Sequence, residues 1–562
     1  MKHLYLTFAC LFIVSAVHAQ TWDWAWAKDA GGTAVEELGG QSVSDLPGNT
    51  YVIGNFSSPA AHFGGFTLNL IGSRNMFVAK YNDMGNVMWA KTSSAGNDTR
   101  AFAVALDPTG HGLYVAGTYA APSATFGAFT LSNAAGGMYI AHYDNSGNVL
   151  WAHDAVSVSS SAALGLAVDV WGNCYVTGEY QGPSITFGAT TLNNLGLDSF
   201  DMFLVKYDSS GNVRWARNGG GSRIDGGNSV SIGSSGTGDV YLTGYFASPT
   251  ATFGSVTLTN SNTNINTFIV KYDTSGNAIW GRKSIGNTGK SGSWVAAGID
   301  PLEDVFVSGS FTGANVKFDT ATLVNANTTT SDAYLLQYDS SGTMKHALRF
   351  GGAGNETGGV TVDQNVGGRT FLTGYYTSDS LVADTFTLHN QMTNNTSDVF
   401  VLGFDDQWNA FLGKTAGGAG NDIALSCSVH GVGDMFVAGS FTGQYAFFSS
   451  DTAENHAING SGDIFVAKLS PVVAGVHQLA QNESDITVYP NPAKDVINIS
   501  AGENIYSELR ITNLIGQTMY TQQLSADHKE LKLTVALNLP AGMYLLQMKG
   551  PGATANKKLL IE

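Results

Sequence analysis

Tyr51-Val52-Ile53-Gly54-Asn55-Phe56 returns as Tyr114-Val115-Ala116-Gly117-Thr118-Tyr119, and the pattern recurs around Gly178, Gly244, Gly309, Gly374 and Gly439. The spacings are 63, 61, 66, 65, 65 and 65 residues, which makes seven copies of one unit. A second anchor, Phe203-Leu204-Val205-Lys206-Tyr207, matches segments starting at Phe77, Tyr139, Phe268, Tyr334, Phe400 and Phe465. A third is a Trp at 26, 89, 151, 215 and 280, replaced by His346 and Leu412 in the remaining copies.

Working outward from these anchors, each unit divides into four short strands rich in aromatic and β-branched residues and separated by Gly and Asn. In one copy, strand a is Ser229-Val230-Ser231-Ile232 and strand b is Val240 to Phe246. Strand c begins at Phe203 and strand d is Val213-Arg214-Trp215-Ala216. The c-to-d turn, Asp208-Ser209-Ser210-Gly211-Asn212, has Asp at its start and Gly where a left-handed conformation is needed, with near-copies at Asp83, Asp144, Asp273 and Asp339. A calcium loop would need more carboxylates in alternation than these turns carry.

Strands b and c are apolar on both faces, as in a sheet packed between two neighbours. Such sheets are the blades of a β-propeller, for which seven is a usual number. The repeat resembles the seven-bladed β-propeller repeat of secreted bacterial proteins, through Gly351-Gly352-Ala353-Gly354-Asn355-Glu356, the Asp-x-x-Gly turn and the Val/Leu-x-Gly-x-Phe/Tyr strand. The expected fold is all-β: a seven-bladed propeller over 20–469, a linker over 470–485 and a small immunoglobulin-like β-sandwich over 486–562. The chain enters at a strand-d copy, Trp22 to Lys28, and its repeats stop after a strand-c copy, Phe465 to Leu469. The first strand is therefore expected to complete the seventh blade and remove two exposed sheet edges.

The leader reads Met1-Lys2-His3, an apolar run from Leu4 to Val17, then His18-Ala19. This is the pattern of a signal peptide over 1–19, cleaved after Ala19, and the run is too short for a membrane anchor. Charged residues form 13% of the chain and Gly is abundant at 69 of 562, which suits turn-rich β structure. Beyond the leader only Cys174 and Cys427 remain, in different repeats, so a disulfide is not expected. From Ile486 onward seven Lys/Arg meet six Asp/Glu, whereas the region between leader and tail holds 19 basic and 38 acidic residues. A body that acidic repels nucleic acid and anionic membrane surfaces. No second apolar stretch is long enough to span a bilayer, and the chain is expected to be a monomer.

The tail opens with Ile486-Thr487-Val488-Tyr489-Pro490-Asn491-Pro492 and continues through Asn513-Leu514-Ile515-Gly516-Gln517 and Pro540-Ala541-Gly542-Met543-Tyr544 to Lys557-Lys558 near its end. Tyr489, Pro490, Asn491 and Pro492, the Asn513–Gly516 turn and the Gly542–Tyr544 strand resemble the type A C-terminal sorting domain of the type IX secretion system. The resemblance implies export across both membranes, with the secretion machinery as partner and an extracellular or surface-attached product.

No His-Glu-x-x-His or Gly-x-Ser-x-Gly motif is present, and Gly286 to Ser291 lacks the first glycine of a phosphate loop. Carboxylates are plentiful, so an enzyme acting on polysaccharide stays open beside a glycan- or protein-binding adhesion module and a purely structural surface component. Trp294 and Phe102 occupy an inner-strand position that is Gly39, Ala163, Ser229, Gly359 and Ala424 elsewhere, and they either stack on a sugar or pack against the next blade. The long b-to-c connections with Phe63-Gly64, Phe126-Gly127, Phe187-Gly188 and Phe253-Gly254 read as a ligand rim or a repeated hairpin. The loops entering strand a carry Glu36, Glu37, Asp98, Asp225, Glu356 and Asp422, with Ser160 and Ser291 at the matching places. These acids either satisfy backbone N–H groups of their own loops or gather at the axis as an oxygen-only site suited to calcium.

Overall fold

The computed structural model describes residues 21–34, 38–95, 97–120, 122–196, 199–233, 238–261, 264–288, 294–297, 304–364, 369–392, 395–430, 433–457, 461–472, 486–501, 506–513, 518–524, 531–540, 542–550 and 554–561. The regular structure among them is all β, in two compact units, one of Trp22–Pro471 and one that holds Val472–Glu562. Among the described residues no helix is long and apolar enough to cross a membrane.

In the larger unit each repeat pairs its strands a to d in antiparallel order. The second repeat uses Thr99–Asp107, Gly112–Tyr119, Gly137–Tyr143 and Val149–Asp154, and the third uses Ser161–Val168, Cys174–Tyr180, Asp201–Tyr207 and Val213–Gly219. The seventh repeat, Asp422–His430, Asp434–Phe441 and Asp463–Val472, takes its outer strand from the other end of the chain: Thr21–Ala30 pairs with Asp463–Val472. Trp22, Trp24 and Trp26 of that strand are all buried. Trp22 meets Phe371 edge-on at 5.6 Å between centroids, and Trp24 meets Phe448 at 5.1 Å.

Successive side chains on a strand point to opposite faces, and in strand b both faces are covered. Every residue of Thr50–Phe56 and of Val240–Phe246 is buried. Tyr51 and Ile53 enter a core shared with Leu113 and Val115 of the second repeat, whereas Val52 joins Phe436, Ala438, Ile464 and Val466 of the seventh. Each strand thus feeds the two cores on either side of its sheet. The innermost strands also touch in succession, and the last, Asp422–His430, lies against the first, Leu38–Ser44.

The recurrent Trp of strand d is an inter-repeat bolt. Its indole N–H donates to a carbonyl in the c-to-d turn of the next repeat: Trp26 to Asp83 (2.9 Å), Trp89 to Asn145 (3.1 Å), Trp151 to Ser209 (3.2 Å), Trp215 to Thr274 (3.0 Å) and Trp280 to Ser340 (3.1 Å). The turn glycine lies over the same ring. Gly342 has φ +80°, and a Cβ there would stand 2.8 Å from Trp280 Cδ2. Where His346 replaces Trp, the next turn answers. Trp408 stands in the glycine position at φ +66°, stacked on His346 at 5.0 Å and 21°, with its N–H on Gln337 Oε1 at 2.9 Å.

The b-to-c connections are hairpins. Ser123–Phe126 pairs with Phe129–Ser132, Ser184–Phe187 with Thr190–Asn193, and Tyr445–Phe448 with Asp451–Glu454. The first turn residue is left-handed whether Gly127 and Gly188 fill it (φ +56° and +55°) or Asp384 and Ser449 (φ +53° and +51°), as two-residue hairpin turns require. Phe63, Phe126, Phe187 and Phe253 are buried, so the Phe-Gly pairs build the hairpin and its core. Each hairpin also clips to the end of strand d of the preceding repeat. Thr125 pairs with Ser94, Ile185 with Ser157, Thr252 with Gly220, Val382 with Gly351, and His62 with Gly31.

In the C-terminal unit, Ile486–Tyr489, Val496–Ala501 and Leu531–Ala536 form one antiparallel sheet. Thr518–Gln523, Glu508–Asn513, Gly542–Lys549 and Thr554–Ile561 form a second. Ile497, Ile499 and Val535 of the first share a core with Leu509, Ile511, Leu546 and Leu559 of the second.

Candidate functional site

Two places concentrate polar groups: the boundaries between repeats and the pocket where innermost strands converge. The boundary site begins with the residue that opens strand a. Asp225, Glu356 and Asp422 pair across their sheets with Phe246, Tyr376 and Phe441. All three are at most 1% exposed. Asp225 accepts from the amides of Gly221 (2.7 Å), Ala247 (3.1 Å) and Ser248 (3.3 Å) and from the Ser248 hydroxyl (2.6 Å). Glu356 accepts from the Gly352 amide at 3.0 Å and from the Ser378 hydroxyl, and Asp422 from the Gly418 amide at 2.7 Å.

The register corrects the sequence reading of Asp98. Thr99, opposite Tyr119, holds the equivalent position in the second repeat, and Asp98 precedes it. Asp98 is half-buried between Arg100 (2.7 Å) and Arg74 (3.5 Å). Glu36 and Glu37 lie outside the described residues.

Opposite each strand-a acid stands a second one that opens strand c of the preceding repeat and that sequence reasoning passed over: Asp201, Asp332 and Asp398, each fully buried. Burial pushes Asp201 and Glu356 up to about 7, Asp398 to about 6 and Asp422 to about 8. Asp225 also rises through burial. Asp463, in the same position of the last repeat, is raised by burial to about 6 and faces His456 Nδ1 at 3.4 Å. The signal for these acids was legible as an Asp ahead of the apolar strand-c run.

Other acids are tied to bases. Lys206 sits 4.7 Å over the Tyr175 ring and 3.7 Å from Asp169, and Lys271 sits 5.3 Å over Tyr241 and 2.7 Å from Asp239. His142 takes the lysine position in the second repeat, stacked on Tyr114 at 4.1 Å and 3.5 Å from Asp107. Asp144, Asp208, Asp273 and Asp339 hold their own turns; the carboxylate of Asp208 accepts from the amides of Ser210 and Asn212. Among the described residues no group of three or more His, Cys, Asp or Glu is placed to hold a metal ion. Cys174 and Cys427 are buried and are not joined in a disulfide.

The pocket has a volume of about 370 Å³ and is walled by the innermost strands, including Trp294, Gln41, Ser44, Ser229 and Ser231. Hydroxyls bridge neighbouring strands along it. Ser42 and Ser426 meet at 3.0 Å, Ser44 and Ser428 at 2.6 Å, and Ser231 accepts from the Ala297 amide at 2.9 Å. Trp294 lines this space, and Phe102 is not among its walls. Strand pairing separates the residues that sequence alone set at one position. Gly39, Ala163 and Ala424 face Gly54, Gly178 and Gly439, whereas Ser229 and Trp294 face Thr243 and Ser308. Phe102 is the extra residue of a bulge between Ala101 and Ala103. A bulge inserts one residue on one strand only, which unaligned repeats do not reveal.

In the tail, Asn491 Oδ1 accepts from the Leu560 amide at 2.9 Å and the Ala493 amide donates to the Leu560 carbonyl at 2.8 Å, so the Tyr-Pro-Asn-Pro opening is fastened to the final strand. Tyr489 is exposed, and the buried Tyr544 donates its hydroxyl to the Pro540 carbonyl at 2.8 Å. Pro490 and Pro492 follow cis peptide bonds. Asn513 pairs with Tyr544, Gly542 with Ile561, and Lys557 with Leu546. Gly516 and the Lys558 side chain lie outside what the structure describes.

Residues 487–562 match the secretion system C-terminal sorting domain. The tail is a sorting domain. It marks the chain for export by the type IX secretion system to the cell surface or the extracellular space, with the secretion machinery as its partner. The chain is similar to an uncharacterized WD repeat-containing protein of Acanthamoeba polyphaga mimivirus, 29% identical over 189 residues. That match spans 31% of this chain and 13% of the relative's length. Among solved structures, dimeric latent PorU from Porphyromonas gingivalis is matched at 10% identity over 65% of this chain and 32% of that one, with a TM-score of 0.12.

Proposed function

We propose that the sorting domain delivers a closed seven-bladed β-propeller to the outside of the cell, where it binds a neutral glycan end in its central pocket. The immunoglobulin-like sandwich of the tail serves export, and the propeller is the working part. The ring reading is supported by the seven-fold repeat, by the pairing of Thr21–Ala30 with Asp463–Val472 and by the contact between the first and last innermost strands.

One observation carries the ligand class: Trp294 stands in a wall otherwise made of serine hydroxyls, the Gln41 amide and small aliphatic side chains. An aromatic face covers the apolar side of a pyranose while hydroxyls and amides meet its edges. No charged side chain is among the described walls, which favours neutral sugars over uronic acids. The volume of about 370 Å³ falls within the ~300–1,000 Å³ range of small-ligand sites.

A glycan array probed with the exported protein is expected to retain neutral oligosaccharides. Trp294→Ala should weaken a retained ligand by about 10-fold or more, on the order of 1.4 kcal/mol, with unchanged melting. Equal retention by the variant would remove the pocket as the site, and turnover of a polysaccharide by the wild type would move the protein into the enzyme class.

A further inference from the structure

At three boundaries the acid that opens strand a and the acid that opens the neighbouring strand c lie side by side. The backbone sets them there. The Asp225 amide donates to the Phe200 carbonyl at 2.7 Å, immediately before Asp201, and the Asp422 amide donates to Ser397 at 2.7 Å, immediately before Asp398. A Cβ on Gly220 would stand 2.5 Å from Asp201 Oδ1 and 3.0 Å from Asp225 Oδ2, so both carboxyl groups meet over one glycine. Glu356 lies close enough to Asp332 for the neighbouring charge to raise it further.

The outward oxygens of these acids are satisfied: Gln391 N–H donates to Asp398 Oδ2, Gly418 N–H to Asp422 Oδ2 and Ala326 N–H to Asp332 Oδ2. The inward oxygens are not. Asp201 Oδ1, Asp332 Oδ1, Asp398 Oδ1 and Asp422 Oδ1 are buried without a hydrogen-bond partner. Two carboxylates cannot hydrogen-bond to each other without a proton, and a buried unpaired charge is costly.

We propose that Asp398 with Asp422, Asp332 with Glu356, and Asp201 with Asp225 each hold one proton in common at neutral pH, so that consecutive repeats are joined by a carboxyl–carboxylate bond. The other boundaries favour a proton over a metal ion. Asn75 with Thr99 and Gly137 with Ser161 fill the same two positions, and the Thr99 amide still donates to the Arg74 carbonyl at 3.0 Å. At those two boundaries the frame is kept with no carboxylate at either position, so it does not depend on a charged cation site.

The facing titratable and charged groups differ by boundary. Tyr376 faces Asp398; Arg349 lies 2.6 Å from Asp332 beside Glu356; Tyr180 faces Asp201, and Tyr245 with Glu179 faces Asp225. Among the described residues the Asp398–Asp422 pair thus has no base beside it and is the one to test. Its folded carboxyls take up protons at about 6 and about 8, against about 4 in an unfolded chain. The folded chain then holds more protons than the unfolded one across that window, and stability is full below it and falls as pH rises through about 8.

The test uses the full exported chain and two variants, Asp422→Asn and Asp398→Asn, either of which removes the shared proton while keeping a neutral hydrogen-bonding group. Infrared spectra at pH 7 are expected to show a protonated-carboxyl C=O band that loses about a third of its area in either variant, three pairs contributing equally. The melting temperature of the wild type should fall from pH 6 to pH 9 more steeply than that of the variants. Absence of the band at pH 7 would overturn the proposal. Binding of calcium alone that raises the wild-type melting temperature and is abolished by Asp422→Asn would overturn it too, by making the pair a cation site.

Discussion

Trp408 occupies a left-handed backbone position at φ +66°, which five other repeats give to glycine, and it does so opposite the one inter-repeat Trp position that holds a histidine. The ring has moved from one side of the boundary to the other. Trp408→Gly alone is expected to cost about 2 kcal/mol, the lost packing of a half-buried indole less the relief of its backbone. His346→Trp alone overfills the boundary at a cost of about 1–3 kcal/mol. Together they rebuild the arrangement of Trp280 and Gly342, so a double-mutant cycle in urea should show a favourable coupling of about 1–2 kcal/mol. Additive losses would mean that the two positions are independent. The loss of Trp at His346 was legible in the repeat alignment. Its answer at Trp408 was not, because the compensating residue belongs to the next repeat and the contact exists only once two sheets are packed. The same holds for Asp201, Asp332 and Asp398: an Asp ahead of strand c can be read along the chain, but the acid it meets belongs to the next repeat.

At the scale of elements, the hairpin between strands b and c is what ties neighbouring sheets on their outer side. Its turn residue must be left-handed, which costs a non-glycine residue about 1–2 kcal/mol. Gly188→Ala should therefore lower stability by about 1 kcal/mol, and Asp384→Gly, at φ +53°, should raise it by a similar amount less the weak bond from the Ala410 amide at 3.3 Å to its carboxylate. Thermal melts of the two variants check the pair of signs; a shift in the same direction for both would show that the turn is not the determinant. The four strands of each repeat were readable from spacing, turn glycines and two-sided hydrophobicity. The bulge in strand a was not, and the reading of Phe102 and Asp98 stood one residue out of register with the other repeats. A bulge leaves no mark in composition; it is set by which backbone groups find partners.

For the whole molecule, the pairing of Thr21–Ala30 with Asp463–Val472 joins residues more than four hundred positions apart, and the strand brings three buried Trp side chains with it. Removing 21–30 should lower the melting temperature and expose the edge of Asp463–Val472. The loss of buried Trp packing is on the order of 3–5 kcal/mol for each fully buried side chain. Unchanged melting would place the closing contact elsewhere. This long-range pairing was legible from the sequence because the repeats open on a strand-d copy and stop after a strand-c copy, whereas the pocket lined by Trp294 was not, because its other walls come from strands that only the fold brings together.

That circular pairing also bears on synthesis. The final strand of the last repeat, Asp463–Val472, is followed along the chain by the export address, so a polypeptide terminated upstream of Asp463 lacks both the strand that pairs with Thr21–Ala30 and the signal for export. Only chains translated past the last repeat carry the export address. Completion of the last sheet and possession of the export address thus depend on the same late stretch of the chain.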